Sequence, residues 1–142
     1  MRQMILTLAA IPILLVAAPA RAENPEHLQQ LLSTGSCQSC DLTNADLSGT
    51  HLIGADLREA DLSGASLVNS NLEGADLEGA NLSQANLTGA FLTNANFSYA
   101  NLNNTDLTNA TMFHALVEGA SIQNVDLTNA QILGTDISVG GD

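Results

Sequence analysis

Residues 40–64 run C-D-L-T-N, A-D-L-S-G, T-H-L-I-G, A-D-L-R-E and A-D-L-S-G, and they set the pattern for most of the chain. The same five-residue frame continues without an insertion to Val139, which makes twenty consecutive pentads. The first residue is Ala in fourteen of them, the third is Leu in fourteen, and the fifth is Gly or Asn in fifteen. Such a strict period indicates a repeat architecture made of stacked units.

A period of five fits neither an α-helix nor a straight strand. Residues five apart lie about 140° apart on a helix and form no stripe. Along a straight strand, successive third residues would alternate between the two faces. Both conflicts disappear if each pentad is a short extended piece followed by a turn, because its first and third residues then share one face. Gly or Asn at the fifth position tolerates the positive φ of such a turn. The chain is therefore predicted to coil around an apolar axis.

The A-D-L-x-x and A-N-L-x-x pentads resemble those of the pentapeptide-repeat family over about a hundred of the 142 residues. The resemblance implies an all-β fold, a right-handed quadrilateral β-helix of about five coils with four pentads in each. Residues twenty apart would then stack on one face. The overall pattern is similar to that of cyanobacterial members of the family.

The residues before the repeats predict export. A positive start at Arg2 precedes an apolar run from Ile5 to Ala18, and small residues follow at Ala20 and Ala22. This is typical of a secretory signal peptide over residues 1–22. A membrane anchor is the weaker alternative, because the run is shorter than the ~20 residues of a spanning helix. Export would lead to the periplasm or, given the cyanobacterial resemblance, to the thylakoid lumen.

A short capping helix is predicted over residues 23–36, ahead of the repeat domain over residues 37–139 and a tail over residues 140–142. Asn24 suits the N-cap, Pro25 suits the first helical position, and Gly35 can end the helix. Three apolar residues share one face and are expected to cover the first coil: Leu28, Leu31 and Leu32.

Cys37 and Cys40 form a C-x-x-C spacing at the start of the repeats. In an exported protein this favours a structural disulfide. A redox centre is the less favoured interpretation, because the βαβ context of such motifs is missing. Two cysteines without nearby histidines are too few for a closed zinc site.

Fifteen acidic residues face three basic ones, and the chain has no Lys. This balance excludes electrostatic binding of free nucleic acid or of an anionic membrane surface. Stacked acids, Asp41 on Asp61 and Asp56 on Asp76, could hold a cation such as Ca²⁺. We favour a different role for Asp and Asn at the second pentad position, which is to bind the backbone of the turn. No metal and no cofactor are predicted.

The three histidines are scattered, and no nucleophile, base and orienting group come together in the sequence, so no enzyme is predicted. Outward positions of the repeats are mostly Asp, Asn, Ser, Thr or Gly. The apolar and aromatic exceptions fall on two adjacent faces of coils three to five and form a candidate protein-binding patch: Phe91, Tyr99, Phe113, His114, Leu116 and Leu133. The competing interpretation is that these side chains only fold over neighbouring Ala and Gly residues.

The function predicted from these features is an exported, non-catalytic scaffold or protein-binding module. Two alternatives stay open: an acidic mimic of DNA that binds gyrase, as in some members of the family, and a C-x-x-C redox module. The expected partner is an unidentified protein, with no nucleic acid and no membrane after signal cleavage. A homodimer through the C-terminal coil is also expected, since a bare last coil invites pairing.

Overall fold

A computed structural model describes residues 24–137, so the predicted signal peptide and the tail lie outside the described residues. One helix, α1 (Pro25–Thr34), precedes the repeats. Two pentads contain strands, β1 (Thr111–Phe113) and β2 (Gln131–Leu133). These strands pair in parallel, with each residue of β1 opposite the residue twenty positions later.

The twenty-residue register holds along the whole repeat region. Fifteen isolated parallel bridges join residues twenty apart, from Ser36 with Asp56 to Asp106 with Asp126. Four pentads therefore separate each residue from the one stacked on it, as predicted. The extended pieces are shorter than an all-β assignment suggests, because most pentads contribute one bridging residue rather than a strand. The turn in each pentad takes up the remaining residues.

In the pentads up to His114, two backbone donors of each pentad point to the next coil. Leu62, a third residue, donates its N–H to the carbonyl of Asn81 at 2.8 Å. Gly64, a fifth residue, donates to the carbonyl of Ser83 at 2.9 Å. The same offset of nineteen residues recurs from Cys37 onward. These bonds tie consecutive coils together as the rungs of a parallel ladder do.

The other three donors bond to the previous coil, to the previous turn or inside the pentad. Asp61 donates its N–H back to the carbonyl of Cys40 at 2.8 Å, and Ala60 closes the preceding turn by donating to Leu57 at 3.1 Å. Ser63 donates to Oδ1 of Asp61 at 3.0 Å. All five N–H groups of the pentad therefore have acceptors, which a buried or stacked backbone requires.

Every described residue at the fifth pentad position has a left-handed backbone, as the turn prediction requires. From Ser39 to Gly134, all twenty of these residues have φ between 55° and 68°. Gly adopts this conformation without a Cβ clash, and Asn tolerates it. Five of these twenty positions hold neither Gly nor Asn: Ser39, Glu59, Gln84, Tyr99 and His114.

The core lies along the axis of the stack. First and third residues of the pentads are buried almost without exception from Cys37 to Ala115. This confirms the predicted inward frame. Beyond Ala115 the burial weakens: Val117, Ile122 and Leu127 are only partly buried, and Ile132 is 38% exposed. The last described coil is therefore open on the side away from α1.

Helix α1 closes the other end of the stack. The side chain of Asn24 accepts a hydrogen bond from the Glu26 N–H at 3.0 Å, and Gly35 ends the helix with φ 69°. Leu31 is buried and Leu28 packs against the core. The prediction for Leu32 is wrong, because its side chain is 55% exposed.

The contact of His27 explains why Leu32 faces outward. Its Nδ1 accepts a hydrogen bond from the backbone N–H of Asp41 at 2.9 Å. This bond brings the His27 side of the helix against the first coil. Successive residues are about 100° apart on a helix, so a contact face centred on Leu31 with His27 and Leu28 at its edges leaves Leu32 outside.

Candidate binding surface

The predicted patch occupies two adjacent faces of the stack towards its open end. Four of its residues keep half or more of their surface exposed: Phe91 at 51%, Tyr99 at 63%, Leu116 at 58% and Leu133 at 62%. His114 is also exposed, whereas Phe113 is half-buried. The structure thus leaves most of the patch accessible, with Phe113 less exposed than its outward position indicates.

Stacking brings the members on one face together. Phe113 lies directly opposite Leu133 in the β1–β2 pair, as the twenty-residue spacing predicts. Phe91 bridges to Thr111 at the start of β1, so it lies on the same face one coil earlier. On the next face, Leu116 bridges to Asn96. These residues form the apolar patch, on a surface that is otherwise largely polar.

Tyr99 and His114 pack on glycines of the following coil. A Cβ placed on Gly119 would lie 2.6 Å from Cδ1 of Tyr99, and one placed on Gly134 would meet the imidazole of His114. Each ring therefore covers the glycine stacked on it in the following coil. For these two residues the competing interpretation, that side chains fold over glycine, is the better description.

The predicted patch leaves out three exposed large apolar residues: Leu32 on α1, Ile132 in the last described coil, and Ile53. Ile53 is 62% exposed in the first coil, at the same pentad position as Phe113 and Leu133. Glu73 and Thr93 occupy that position in the coils between them. Ile53 is therefore separate from the patch. The signal available in the sequence was its place in the fourth pentad position, which is Ser or Thr in ten of the twenty pentads.

A groove of about 580 Å³ lies beside the patch at the open end. Leu116 and Ile122 give it an apolar wall, and Glu118 and Asp136 bring two carboxylates. Gly134, which follows β2, is also part of the lining. The groove could not be predicted from periodicity, because it forms only where the stack of described coils stops.

The second pentad position has the role that we favoured for it. In twelve pentads the Asp or Asn side chain accepts a hydrogen bond from the N–H two residues later. Thr128 adds its hydroxyl to this bond, at 2.6 Å from Oδ1 of Asp126, and the bond lowers the pKa of that carboxyl. The acids are thus part of the turns.

The two stacked acid pairs are Asp41 with Asp61 and Asp56 with Asp76. Arg58, the only Arg or Lys among residues 24–137, lies between Asp56 and Asp76. Arg58 donates to both carboxylate oxygens of Asp56, at 2.8 and 2.6 Å, and its Nε lies 3.8 Å from Oδ2 of Asp76. The hydrogen bond from Arg58 lowers the pKa of Asp56. In the other pair, Asn81 donates to Asp61 at 3.2 Å. Within residues 24–137 no three metal-ligating side chains come together.

Cys37 and Cys40 form a disulfide, as predicted. Cys37 is fully buried and Cys40 is 4% exposed. Cys37 takes the inward position that Leu has in later pentads, beneath α1. Thiol–disulfide exchange needs an attacking thiolate to reach a sulfur, so this burial favours a structural bond over redox chemistry.

Comparison with known proteins agrees with the architecture. The family model for pentapeptide repeats matches residues 40–79 and 75–112, in 8 copies. The chain is a repeat protein whose coils are built from pentads. It belongs to the pentapeptide-repeat family. Among curated proteins no sequence match was found.

Solved structures of the family are similar to the chain. A pentapeptide-repeat protein of the Arabidopsis thaliana thylakoid lumen is 30% identical, with a TM-score of 0.50 over 80% of this chain and 72% of that one. Rfr23 of the cyanobacterium Cyanothece 51142 is 26% identical, with a TM-score of 0.45 over 81% and 95%. Protein alr5209 of Nostoc PCC 7120 is 26% identical, with a TM-score of 0.41 over 78% and 96%. Within residues 24–137, no helix has the length and apolar character that crossing a membrane demands.

Proposed function

We propose that this protein is an exported, non-catalytic binding module that holds another protein on the apolar patch. In this proposal the coils wind right-handed with a four-sided cross-section, and the flat faces present side chains at fixed spacings. The observation that carries the proposal is the exposure of Phe91, Leu116 and Leu133 on an otherwise polar surface. Contiguous exposed apolar surface of this kind marks contact sites, and aromatic residues often anchor them.

Export is part of the proposal. The signal-like sequence over residues 1–22 supports it, and so does the likeness to a protein of the Arabidopsis thaliana thylakoid lumen. The disulfide agrees with an oxidising compartment, the periplasm or the thylakoid lumen. Intact mass of the protein from its native cells tests this, because cleavage after Ala22 leaves Glu23 as the first residue. Protein that keeps Met1 and remains in the cytoplasm would argue against export.

Capture of the partner tests the surface. The protein is immobilised in its oxidised form and exposed to the contents of its own compartment. The double variant Phe91→Ser with Phe113→Ser is expected to lose the partner that the unchanged protein retains. Phe91→Ser alone is included because Phe113 is half-buried. The melting temperature must stay close to that of the unchanged protein for the comparison to count.

Ile53→Ser is the matched control. Ile53 is as exposed as Leu133 but lies in the first coil, away from the patch. It should leave capture unaltered. If all the Ser variants capture the partner equally, the patch is not the binding surface. If Ile53→Ser abolishes capture as well, any exposed apolar residue matters and the surface is not specific.

The charge of the chain supports a second candidate, a mimic of DNA that binds gyrase. The formal net charge is −12, and Arg58 is the single Arg after residue 22. Regularly placed carboxylates on a rod resemble the phosphates of a duplex in charge. Inhibition of gyrase supercoiling by residues 23–142 tests this candidate. Export argues against this candidate, because gyrase acts on DNA in the cytoplasm, where an exported protein would not meet it. We therefore place it second.

We also propose that two copies of the chain associate through the open end of the stack. Part-buried Ile122 and Leu127 and exposed Ile132 would gain burial there. Light scattering at high concentration tests this, with a dimer expected.

A further inference from the structure

We propose that α1 is an acid-released lid on the first coil, and that protonation of His27 at Nδ1 opens it. The inference does not rest on the proposed function, because it concerns how the helix is held and not what the patch binds. It gives a role to His27 and to the disulfide that the helix covers.

His27 holds α1 against the first coil at two points. Its imidazole Nδ1 accepts a hydrogen bond from the Asp41 N–H at 2.9 Å. Its carbonyl oxygen lies 3.2 Å from Sγ of Cys37, which is fully buried under the helix. The His27 side chain is half-buried, so protons reach it from solvent. A change at this one residue therefore acts on the lid and on the cover of the disulfide together.

The hydrogen bond from Asp41 cannot survive protonation of Nδ1. Its donor is a backbone N–H, which has no acceptor role to offer. An imidazolium carries hydrogen on both ring nitrogens, so two donors would face each other. His27 is also the third residue of α1, near the positive end of the helix dipole, which disfavours a cation there. The docked lid therefore excludes a proton that the released lid accepts, and acid favours release.

Histidine is the residue type at this contact that changes charge between about pH 7.5 and 5.5. The other charged groups of the two elements are Glu26 on α1 and, in the first coil, Asp41, Asp46, Asp56, Arg58 and Glu59. Carboxylates and Arg keep their charges through this range. Asp41 attracts an imidazolium, but this attraction does not restore the bond from its backbone N–H. His51 lies exposed in the first coil and provides a control.

Release has two consequences that can be measured. A helix of ten residues is marginal in water without tertiary contacts, so a released α1 loses its internal hydrogen bonds. Leu31 leaves the core, and the buried disulfide beneath it becomes accessible to a reductant.

Hydrogen exchange of the oxidised protein measures the release. The amides of Leu28 and Gly35 bond to the carbonyls of Asn24 and Leu31, at the two ends of α1. Their protection, relative to the intrinsic exchange rate at each pH, should fall by about tenfold from pH ~7.5 to pH ~5.5. One proton that only the released lid accepts gives this factor, because an unpartnered histidine titrates near ~6.5.

Variants of two histidines identify the trigger. His27→Gln keeps a side-chain acceptor for the Asp41 N–H but cannot titrate, so its protection should not change over this range. His27→Ala has no acceptor and should show the lower protection at both pH values. His51→Gln is the matched control and should keep the full change. The amide of Leu62, in mid-stack, should stay protected in every variant and shows that the coils remain folded. A tenfold fall in His27→Gln would overturn His27 as the trigger.

Reduction of the Cys37–Cys40 disulfide gives an independent readout. A water-soluble phosphine takes up the oxygen of one water molecule, while the two sulfurs take up two electrons and two protons to become thiols. The ratio of the reduction rate in the unchanged protein to that in His27→Gln should rise about tenfold from pH ~7.5 to pH ~5.5. Comparing the two proteins at one pH removes the pH dependence of the phosphine.

One outcome would separate loss of the bond from release of the lid. If protection at Asp41 falls in acid while protection at Leu28 and Gly35 and the ratio of reduction rates stay constant, the imidazole turns away without releasing the helix. That result overturns the lid.

Discussion

Single residues of this fold are constrained most at the fifth pentad position. Each of these residues is left-handed, and some of them also lie under a side chain from the previous coil. A Cβ added to Gly74 would meet nothing within 4 Å, whereas one added to Gly119 would press against the ring of Tyr99. Two glycines with the same backbone conformation therefore differ in what a methyl group would meet.

This difference predicts the effects of alanine at the two glycines. Gly74→Ala should cost about 1 kcal/mol, the strain of a left-handed Ala. Gly119→Ala should cost more, because the Tyr99 ring must also move. In a Tyr99→Ala background the extra cost of Gly119→Ala should disappear. Urea unfolding of the four variants measures this. Equal costs at both glycines would mean that Tyr99 does not pack on Gly119.

Arg58 predicts a pH-dependent effect at the residue scale. Its hydrogen bond lowers the pKa of Asp56 in the folded state. The unfolded chain therefore binds more protons as the pH falls through the unfolded value near ~3.9, and this part of the stability is lost on acidification. Arg58→Met should be less stable than the unchanged protein at neutral pH.

The difference between the two proteins should narrow as the pH falls below the unfolded value of ~3.9, because Asp56 in the unfolded chain takes up its proton before the folded carboxyl does. Unfolding free energies measured across this range provide the test. Both side chains are partly exposed, so the difference is expected to be small. A constant difference at all pH values would show that Arg58 acts by packing alone.

At the scale of elements, α1 and the disulfide close the first coil together. The disulfide places Cys37 in the core beneath the helix, and His27 accepts the N–H of Asp41, the residue after Cys40. The loop closed by the disulfide spans few residues. Its entropic effect on the unfolded chain is therefore at the low end of the usual range.

Reduction should lower the melting temperature without abolishing the fold. The double variant Cys37→Ala with Cys40→Ala should behave like the reduced protein, with some additional loss from the smaller side chain at Cys37. Thermal unfolding followed by circular dichroism measures both. Free thiols in protein purified from an oxidising compartment would contradict the structural disulfide.

For the whole molecule, contacts between neighbouring coils imply stepwise stability. Each coil bonds to the one before and the one after it, as in other solenoids. One end is covered by α1, and the last described coil has partly buried core residues. Opening should therefore begin at the uncovered end and proceed towards α1.

Hydrogen exchange can measure how the local stability changes along the stack. The amide of Leu62, bonded to Asn81 in mid-stack, should exchange more slowly than the amide of Leu102, which is bonded to Ser121 in the last described coil. Both bonds are 2.8 Å long, so the comparison isolates position in the stack. Equal protection of the two amides would mean that the coils open as one cooperative unit.

Much of this architecture could be predicted from the pentad alone. The inward first and third residues, the left-handed fifth residue and the turn-binding second residue each follow from chemistry within a few positions of the chain. The disulfide followed from the spacing of Cys37 and Cys40 together with the export prediction. Local periodicity suffices because every pentad meets the same surroundings.

Other features depended on how coils and ends meet in three dimensions. Leu32 is exposed because His27 turns α1 towards the first coil, and helix periodicity could not supply that rotation. Tyr99 lies over Gly119 because side chains lean towards the next coil. The groove beside Leu116 and Gly134 lies where the stack of described coils ends. A repeating sequence determines what each coil contains, whereas the contacts between stacked coils and at the two ends decide which side chains are left to bind a partner.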